Sequence, residues 1–484
     1  MIYSRHFNQR QLRGLLKVGG ILIPGGQGMQ SFSESQVVNE VDRVADFMSA
    51  EDRSGFIGLM EVFFWLPSPL IRSLLSVSIR FNRWPGSLGS AFRLIEFGVK
   101  GVVQTLYYSG SDADKKVLPA IGYDAAIRSA IVNTRESDLG AVSVFEHARA
   151  AAETVAMLSL KERLVFISRL RSVLLDRQEE CVDSVQKATG KCRSDALISE
   201  IFPILDFFYY LETNTLRALK SQKISTPISL FGKRSVIHFE PLGVVLVISP
   251  WNYPLFQALV PIVSAFVAGN SVVYKPSEVT PMKGLVEGLL GAAGFNSFWV
   301  QVVYGDGNTG RELIEQRPQK IFFTGSVATG KKIMAQAAQY LIPVELELGG
   351  KDPMLVFADA TISRAAKGAV WGAFTNSGQS CTSVERVLVQ QPIYEDFKRQ
   401  LLAEISLLKV APDTDGDADL GRMISAEQAK KVYDLLGDAR AKGARVLSGV
   451  EWDGVSLWIP PIVLEGVSAG MKMMEEEIFG PILP

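Results

Sequence analysis

The chain has 484 residues, of which 47% are hydrophobic and 21% charged, which excludes a fibrous or disordered protein and allows two or three domains. Its 50 basic and 51 acidic residues leave a net charge of -1, so no charge field points to nucleic acid or to an anionic membrane. Three cysteines (Cys181, Cys192, Cys381) are too few for a disulfide scaffold and point to a reducing compartment, the cytoplasm. Three scattered histidines, His6, His147 and His238, argue against a histidine metal site or a serine–histidine hydrolase, and no metal is expected.

Residues 1–110 carry a helical pattern, with turns at "PGGQG", "LPSP" and "NRWPGS". Arg5, Arg10, Arg13 and Lys17 read as a solvated helix face. The apolar stretch 56–79 is broken by Glu61, Pro67, Pro69 and Arg72. A membrane span needs about 20 uninterrupted apolar residues, so a buried helix pair is expected here and no transmembrane span. A linker is expected over 111–129, following on the stretch "SGSDADKK" (109–116). Residues 130–222 show amphipathic helices, with Leu164, Ile167, Leu170, Leu174 and Leu175 on one stripe.

From about residue 240 short apolar runs alternate with helices. "GVVLVIS" (243–249) reads as a strand and 256–270 as a helix stopped by Gly269 and Asn270. The strand "SVVYK", a helix at 281–293, the strand "VQVVY", a helix after "GNTG", the strand "KIFFTG", a helix at 330–340 and the strand "PVELEL" follow. This alternation predicts an α/β fold with a parallel sheet. Ligands of such sheets sit beyond the carboxyl ends of the strands. There the chain places "PWNYP" (250–254), "KPSE" (275–278), "FTGSVATG" (323–330) and "ELGGK" (347–351). Further on, "TNSGQSCTSVER" (375–386) sets Cys381 between a helix-spaced apolar segment and the strand "RVLVQ".

Taken one at a time, these residues have plain structural accounts. Cys381 fits a small buried hydrophobe, as do Cys181 and Cys192 on their helices. Asn252 fits an Asx turn before Pro254, and Trp251 a core tryptophan. Glu345 and Glu347 share one face of a strand and fit a solvated edge, and Glu475, Glu476 and Glu477 fit a solvated acidic run.

Taken together, "PWNYP", "KPSEVTP", "FTGSVATG", "ELGGKDP", "GQSC" and "EEIFGP" stand in the order found in the aldehyde dehydrogenase superfamily, which the chain resembles from about residue 130 to its end. The resemblance implies a Rossmann-like cofactor domain over 130–347, with a protruding oligomerisation hairpin at 223–241, and a catalytic domain over 348–484. It implies oxidation of an aldehyde to a carboxylic acid by NAD or NADP, in a homo-oligomer. Cys381 would be the nucleophile, and Asn252 would stabilise the oxyanion beside the Cys381 backbone N–H. Glu347 would activate the water that hydrolyses the thioester, since family members that pass the acyl group to coenzyme A generally lack it. Lys275 and Glu278 would reach the adenosine ribose, and Gly325, Ser326 and Gly330 the pyrophosphate at a helix N-terminus. Glu477 and Phe479 would contact the nicotinamide end, with Trp251 beside them walling the aldehyde channel. Glu278 tips the balance toward NAD, because a carboxylate repels a 2′-phosphate.

The chain departs from the family pattern at both ends. It stops at "IFGPILP", just past the last motif, so the catalytic domain is expected to be incomplete and the chain a fragment or a disrupted reading frame. Residues 1–110 read as an all-helical extension, and a second resemblance covers 1–123. There "ILIPGG" and "LYYSGSDADKKVLPAIGY" (106–123) resemble the small subunit of membrane-associated flavin dehydrogenases of the gluconate 2-dehydrogenase type. That resemblance implies docking to a flavin oxidoreductase, and with it an alternative function as a non-catalytic assembly subunit. The plain account is a helical extension packed on the main domain.

Overall fold

A computed structural model describes residues 4–23, 31–33, 38, 41–46, 50–81, 103, 140–230, 232–410, 418–448, 452 and 454–484. The chain divides into two compact units, Met1–Arg128 and Ser129–Pro484. The expected turns at 24–28 and 82–87, the stretch 106–123 and the linker 111–129 lie outside the described residues.

Among its described residues the first unit holds four α-helices: α1 (Gln9–Leu22), α2 (Val41–Asp46), α3 (Ala50–Trp65) and α4 (Ser68–Phe81). Asn8 opens α1 with a capping box, accepting from the N–H groups of Arg10 and Gln11 while Gln11 reaches back. Leu12, Leu15 and Val18 recur at helical spacing and join Phe56, Met60, Phe63 and Ile71 in one buried cluster. The helix pair expected over 56–79 is present, broken at Pro67, and no helix among the described residues is long and apolar enough to cross a membrane. Lys17 departs from the solvated face expected of it. Its ammonium donates to the carbonyls of Phe64 and Leu66, which the end of α3 leaves without helical partners.

Gly14 lets α1 and α3 touch at their backbones, because a Cβ there would collide with the Met60 carbonyl. Gly14→Ala is therefore expected to destabilise this unit by about 1–3 kcal/mol through overpacking. Chemical denaturation followed by helical circular dichroism measures the shift, and an unchanged midpoint would contradict the close approach.

The second unit begins with α5 (Ala141–Met157), α6 (Leu160–Asp176) and α7 (Gln178–Thr189). A short α8 (Arg193–Ala196) runs through a π turn into α9 (Phe202–Ala218). On α6 the stripe of Leu164, Ile167, Leu170 and Leu174 is buried as expected, whereas Leu175 sits at its margin and is half-buried. β1 (Gln222–Ile224) and β2 (Ser235–Ile237) pair antiparallel, with β1 exposed and β2 partly so.

Next come β3 (Val244–Ile248), α10 (Phe256–Val267), β4 (Ser271–Lys275), α11 (Leu285–Ala292), β5 (Val300–Val302), α12 (Gly307–Glu315), β6 (Lys320–Gly325), α13 (Val327–Ala338) and β7 (Val344–Leu348). The five strands are all parallel, in the order β5-β4-β3-β6-β7. Every residue of β3 and β4 is buried, because helices cover both faces. Val245 and Val247 enter one core with α6, α9 and α10, while Val244, Leu246 and Ile248 enter the other with α5, α12 and α13.

Helix limits shift for local reasons. α10 stops before the αL residue Gly269 (φ 99), and positive φ at Met282 and Gly284 delays α11 to Leu285. α13 starts before residue 330 because Ser326 caps it, accepting from the Thr329 N–H. Strand order reverses between β3 and β6, so the loops after them flank the crevice where such sheets bind ligands.

The remainder holds β8 (Pro353–Val356), α14 (Ile362–Phe374), β9 (Arg386–Val389), α15 (Tyr394–Ser406), α16 (Ala426–Ala441), β10 (Arg445–Ser448), β11 (Ile462–Glu465), α17 (Lys472–Glu475) and β12 (Ile482–Leu483). β8 pairs in parallel with β9 and β11 with β12, while β10 runs antiparallel to β11. The Val387 N–H donates to the Pro484 carbonyl at 2.9 Å and sets β12 beside β9.

Candidate active site

Beyond α14 the chain turns through Asn376 (φ 54), Ser377 (φ 54) and Gly378 (φ 70), and two of these three left-handed residues are not glycine. Such positions persist only where the surroundings over-determine them. Here Asp195 accepts from the Asn376 N–H (3.1 Å), and the Ser377 hydroxyl donates to the Gly421 carbonyl (2.6 Å). The fully buried Gln379 donates to the Asn376 carbonyl (2.9 Å) and accepts from the Ile424 N–H (2.8 Å). This turn delivers Cys381, half-buried, into the segment before β9. Cys181, on α7, and Cys192, which lies just before α8 and not on the helix expected for it, are both buried.

The loop after β3 meets this turn. Asn252 is buried, and its amide donates to the Gln379 carbonyl at 3.0 Å, two residues before the thiol. The amide carries a second N–H beyond that bond. The Asn376 side chain donates to the same carbonyl and to that of Asn252, so both loops are tied together. Trp251 packs edge-to-face against Phe479, with ring centroids 5.4 Å apart. The motifs at 251–252, 381 and 479 thus converge.

Three carboxylates lie within electrostatic reach of the thiol. Burial pushes the Cys381 thiol above its ordinary range, and the charges of Glu477, Asp352 and Glu347 add to that rise. Along β7 the pleat sends Val344, Leu346 and Leu348 inward and leaves Glu345 and Glu347 on the exposed face. Glu345 is paired with Lys320 at 2.9 Å, which separates its role from that of Glu347. Glu475 and Glu476 are solvated, but Glu477 is not. Burial, reinforced by Glu385, pushes the Glu477 carboxyl up to about 7. A Cβ on Gly349 would strike that carboxylate, which explains the glycine there.

The remaining candidates line the carboxyl edge of the sheet. Ser326 caps α13 directly after β6. Gly325 and Gly330 admit close packing, since a Cβ would meet the Phe323 ring at the first and Leu348 at the second. At the end of β4 Lys275 is buried, and its ammonium is held by the Pro276 carbonyl (3.1 Å) and by Glu278 (3.4 Å), which stays exposed.

Residues 129–484 match the family model described as "Aldehyde dehydrogenase family". The chain belongs to the aldehyde dehydrogenase family. A Methylomonas sp relative, 4,4'-diapolycopene aldehyde oxidase, is 44% identical over 338 residues, covering 69% of this chain and 63% of the relative. This chain therefore spans less than two thirds of that relative's length. Betaine aldehyde dehydrogenase of Staphylococcus aureus, solved with NAD+, superposes with a TM-score of 0.65 at 30% identity, covering 71% of this chain and 69% of that one. An E. coli NADP dependent enzyme superposes with a TM-score of 0.68 at 30% identity, covering 71% and 72%.

Several site-shaping residues escaped the sequence reading. Asp195, Asn376, Lys351 and Glu385 act through buried contacts between distant segments, which no periodicity reports. Tyr253, beside Asn252, is pushed up to about 12 by burial, and its hydroxyl engages Ser380 and Asn376. Only its place in "PWNYP" hinted at it.

The raised thiol has a kinetic signature. Alkylation of Cys381 by iodoacetamide in the cofactor-free protein is expected to reach half its maximal rate above about pH 8.5, the ordinary cysteine value, because the thiolate is the attacking form. Rates followed by peptide mass spectrometry across pH test this, and a midpoint near neutrality would contradict the surrounding negative charge.

Proposed function

We propose that this chain oxidises an aldehyde to its carboxylic acid with NAD+ or NADP+, through Cys381. The supporting observation is the convergence of a partly accessible thiol with the Asn252 amide network and the carboxylates of Glu347 and Glu477. The Cys381 sulfur would bond to the carbonyl carbon, and Asn252 with the Cys381 N–H would donate to the oxygen that gains the electron pair. With the thiol raised by burial, its proton must pass to a nearby carboxylate, and Glu347 is the exposed one. Re-formation of the carbonyl expels the aldehyde hydrogen as hydride and leaves a thioester. Exposed Glu347 would release that proton to solvent and, as the carboxylate again, take a proton from water, whose oxygen attacks the thioester carbon as the C–S bond breaks.

The residues present suit a nicotinamide dinucleotide, which when bound supplies the hydride acceptor. The capped N-terminus of α13 at the strand-order reversal suits a pyrophosphate. Lys275 and Glu278 at the end of β4 offer a donor and an acceptor for ribose hydroxyls. Glu477 and Phe479 would face the nicotinamide end, beside Trp251. Solved relatives are named with NAD+ and as NADP dependent, which supports either form here.

The test is to incubate purified protein with NAD+ or NADP+ and an aldehyde panel, following absorbance of the reduced cofactor. The panel includes 4,4'-diapolycopene aldehyde, named in the Methylomonas relative. A folded sample that turns over no aldehyde, and whose Cys381 resists iodoacetamide, refutes the proposal.

A further inference from the structure

Glu385 lies four residues beyond Cys381 and is buried. Its backbone N–H donates to the Asp352 carbonyl at 3.0 Å. Its carboxylate accepts from the N–H groups of Ile478 (2.9 Å) and Phe479 (3.0 Å), and Lys351 closes the arrangement at 2.6 Å. One carboxylate therefore joins three stretches: the thiol segment, the turn after β7 and the loop carrying Glu477 and Phe479. Two successive N–H groups aimed at one anion form a turn that needs negative charge to hold it. Phe479 adopts φ 53, a left-handed conformation that an aromatic residue rarely takes without outside support. An amide in place of the carboxylate would keep one acceptor, but it would set an N–H against a donor and leave the Lys351 ammonium uncompensated.

We infer that Glu385 is a positioning residue that fixes the 477–479 loop for the nicotinamide end of the cofactor, acting through the backbone of Ile478 and Phe479. The inference rests on the NAD(P)+ reading above. The position of this loop is also felt at the neighbouring "PWNYP" loop, because the Phe479 ring abuts Trp251. Lys351 holds the carboxylate in place and supplies its countercharge.

The experiment uses the full chain with Glu385→Gln and with the double variant Glu385→Gln, Lys351→Met, which removes the uncompensated ammonium and protects folding. NAD+ and NADP+ are titrated calorimetrically, thermal midpoints are recorded, and Cys381 alkylation is timed without cofactor. Misplacing the loop is expected to weaken cofactor binding by about tenfold in both variants. The double variant is expected to regain the wild-type thermal midpoint without regaining affinity. Cofactor-free alkylation is expected to stay within about twofold of wild type, since the thiol is not the group being positioned. Wild-type affinity in Glu385→Gln, or joint recovery of midpoint and affinity in the double variant, overturns the inference while leaving the proposed function standing. A wild-type protein that binds neither cofactor overturns that function, and the inference with it.

Discussion

Replacing Cys381 with alanine is expected to lower aldehyde-dependent cofactor reduction by about 10^4-fold or more, the scale seen when an enzyme loses its nucleophile. The size follows from the chemistry: without sulfur no bond forms to the carbonyl carbon, and the donors around Asn252 have no adduct to stabilise. The control is internal, because the chain holds two other thiols. Burial pushes Cys181 up to about 12 and Cys192 up to about 11, so neither is appreciably a thiolate near neutrality. Cys192 is further occupied as a donor to the Asp419 carbonyl. Cys181→Ala and Cys192→Ala are therefore expected to keep turnover within about twofold of wild type. Initial rates at saturating aldehyde decide the matter, with folding checked by thermal denaturation. Turnover by the Cys381→Ala variant within about tenfold of wild type would end the assignment of the nucleophile.

The sheet was legible because its strands are buried on both faces. Apolar runs such as Val244–Ile248, and Val272–Tyr274 within Ser271–Lys275, announce a covered parallel strand, and the helices between them confirm the direction. Helix ends were less legible: Met282 and Gly284 take left-handed conformations, and Met282 gives no sign of it in its chemistry. Asn376 and Ser377 show the same limit beside the thiol, where buried partners outside the local sequence impose the turn. The motif residues were found through family likeness, since each taken singly favoured a plain structural account. The acidic run at 475–477 is instructive. Charge alone predicts three solvated carboxylates, and the fold half-buries Glu477 alone by laying it against Gly349. Charge pairs such as Lys351 with Glu385 leave no local trace, because the partners sit in different strands and loops.

Glu200→Ala is expected to destabilise the second unit by about 3–5 kcal/mol, the usual result of leaving a buried charge without its partner. Lys191 and Glu200 are both fully buried and meet at 2.6 Å. Burial pulls the Lys191 ammonium below its ordinary value, and the Glu200 charge and hydrogen bond oppose that pull. The other carboxylate oxygen accepts from the N–H groups of Leu255 (2.7 Å) and Phe256 (3.1 Å), which open α10. An anion there satisfies two orphan donors and complements the helix dipole. The ammonium in turn lies 4.1 Å over the Tyr253 ring, next to Asn252. Adding Lys191→Met to Glu200→Ala removes the stranded charge and should restore part of the loss, but the two orphaned N–H groups still cost about 1–3 kcal/mol each. Urea denaturation should therefore rank wild type above the double variant and the double variant above Glu200→Ala. A single variant within about 1 kcal/mol of wild type would show that water reaches the ammonium and that the pair is not sealed. If the ranking holds, the loop carrying Asn252 is anchored from below by charge, as the thiol turn is anchored by Asp195, and the hydrogen bonds among Asn252, Asn376 and Gln379 join two loops that each have a support of their own.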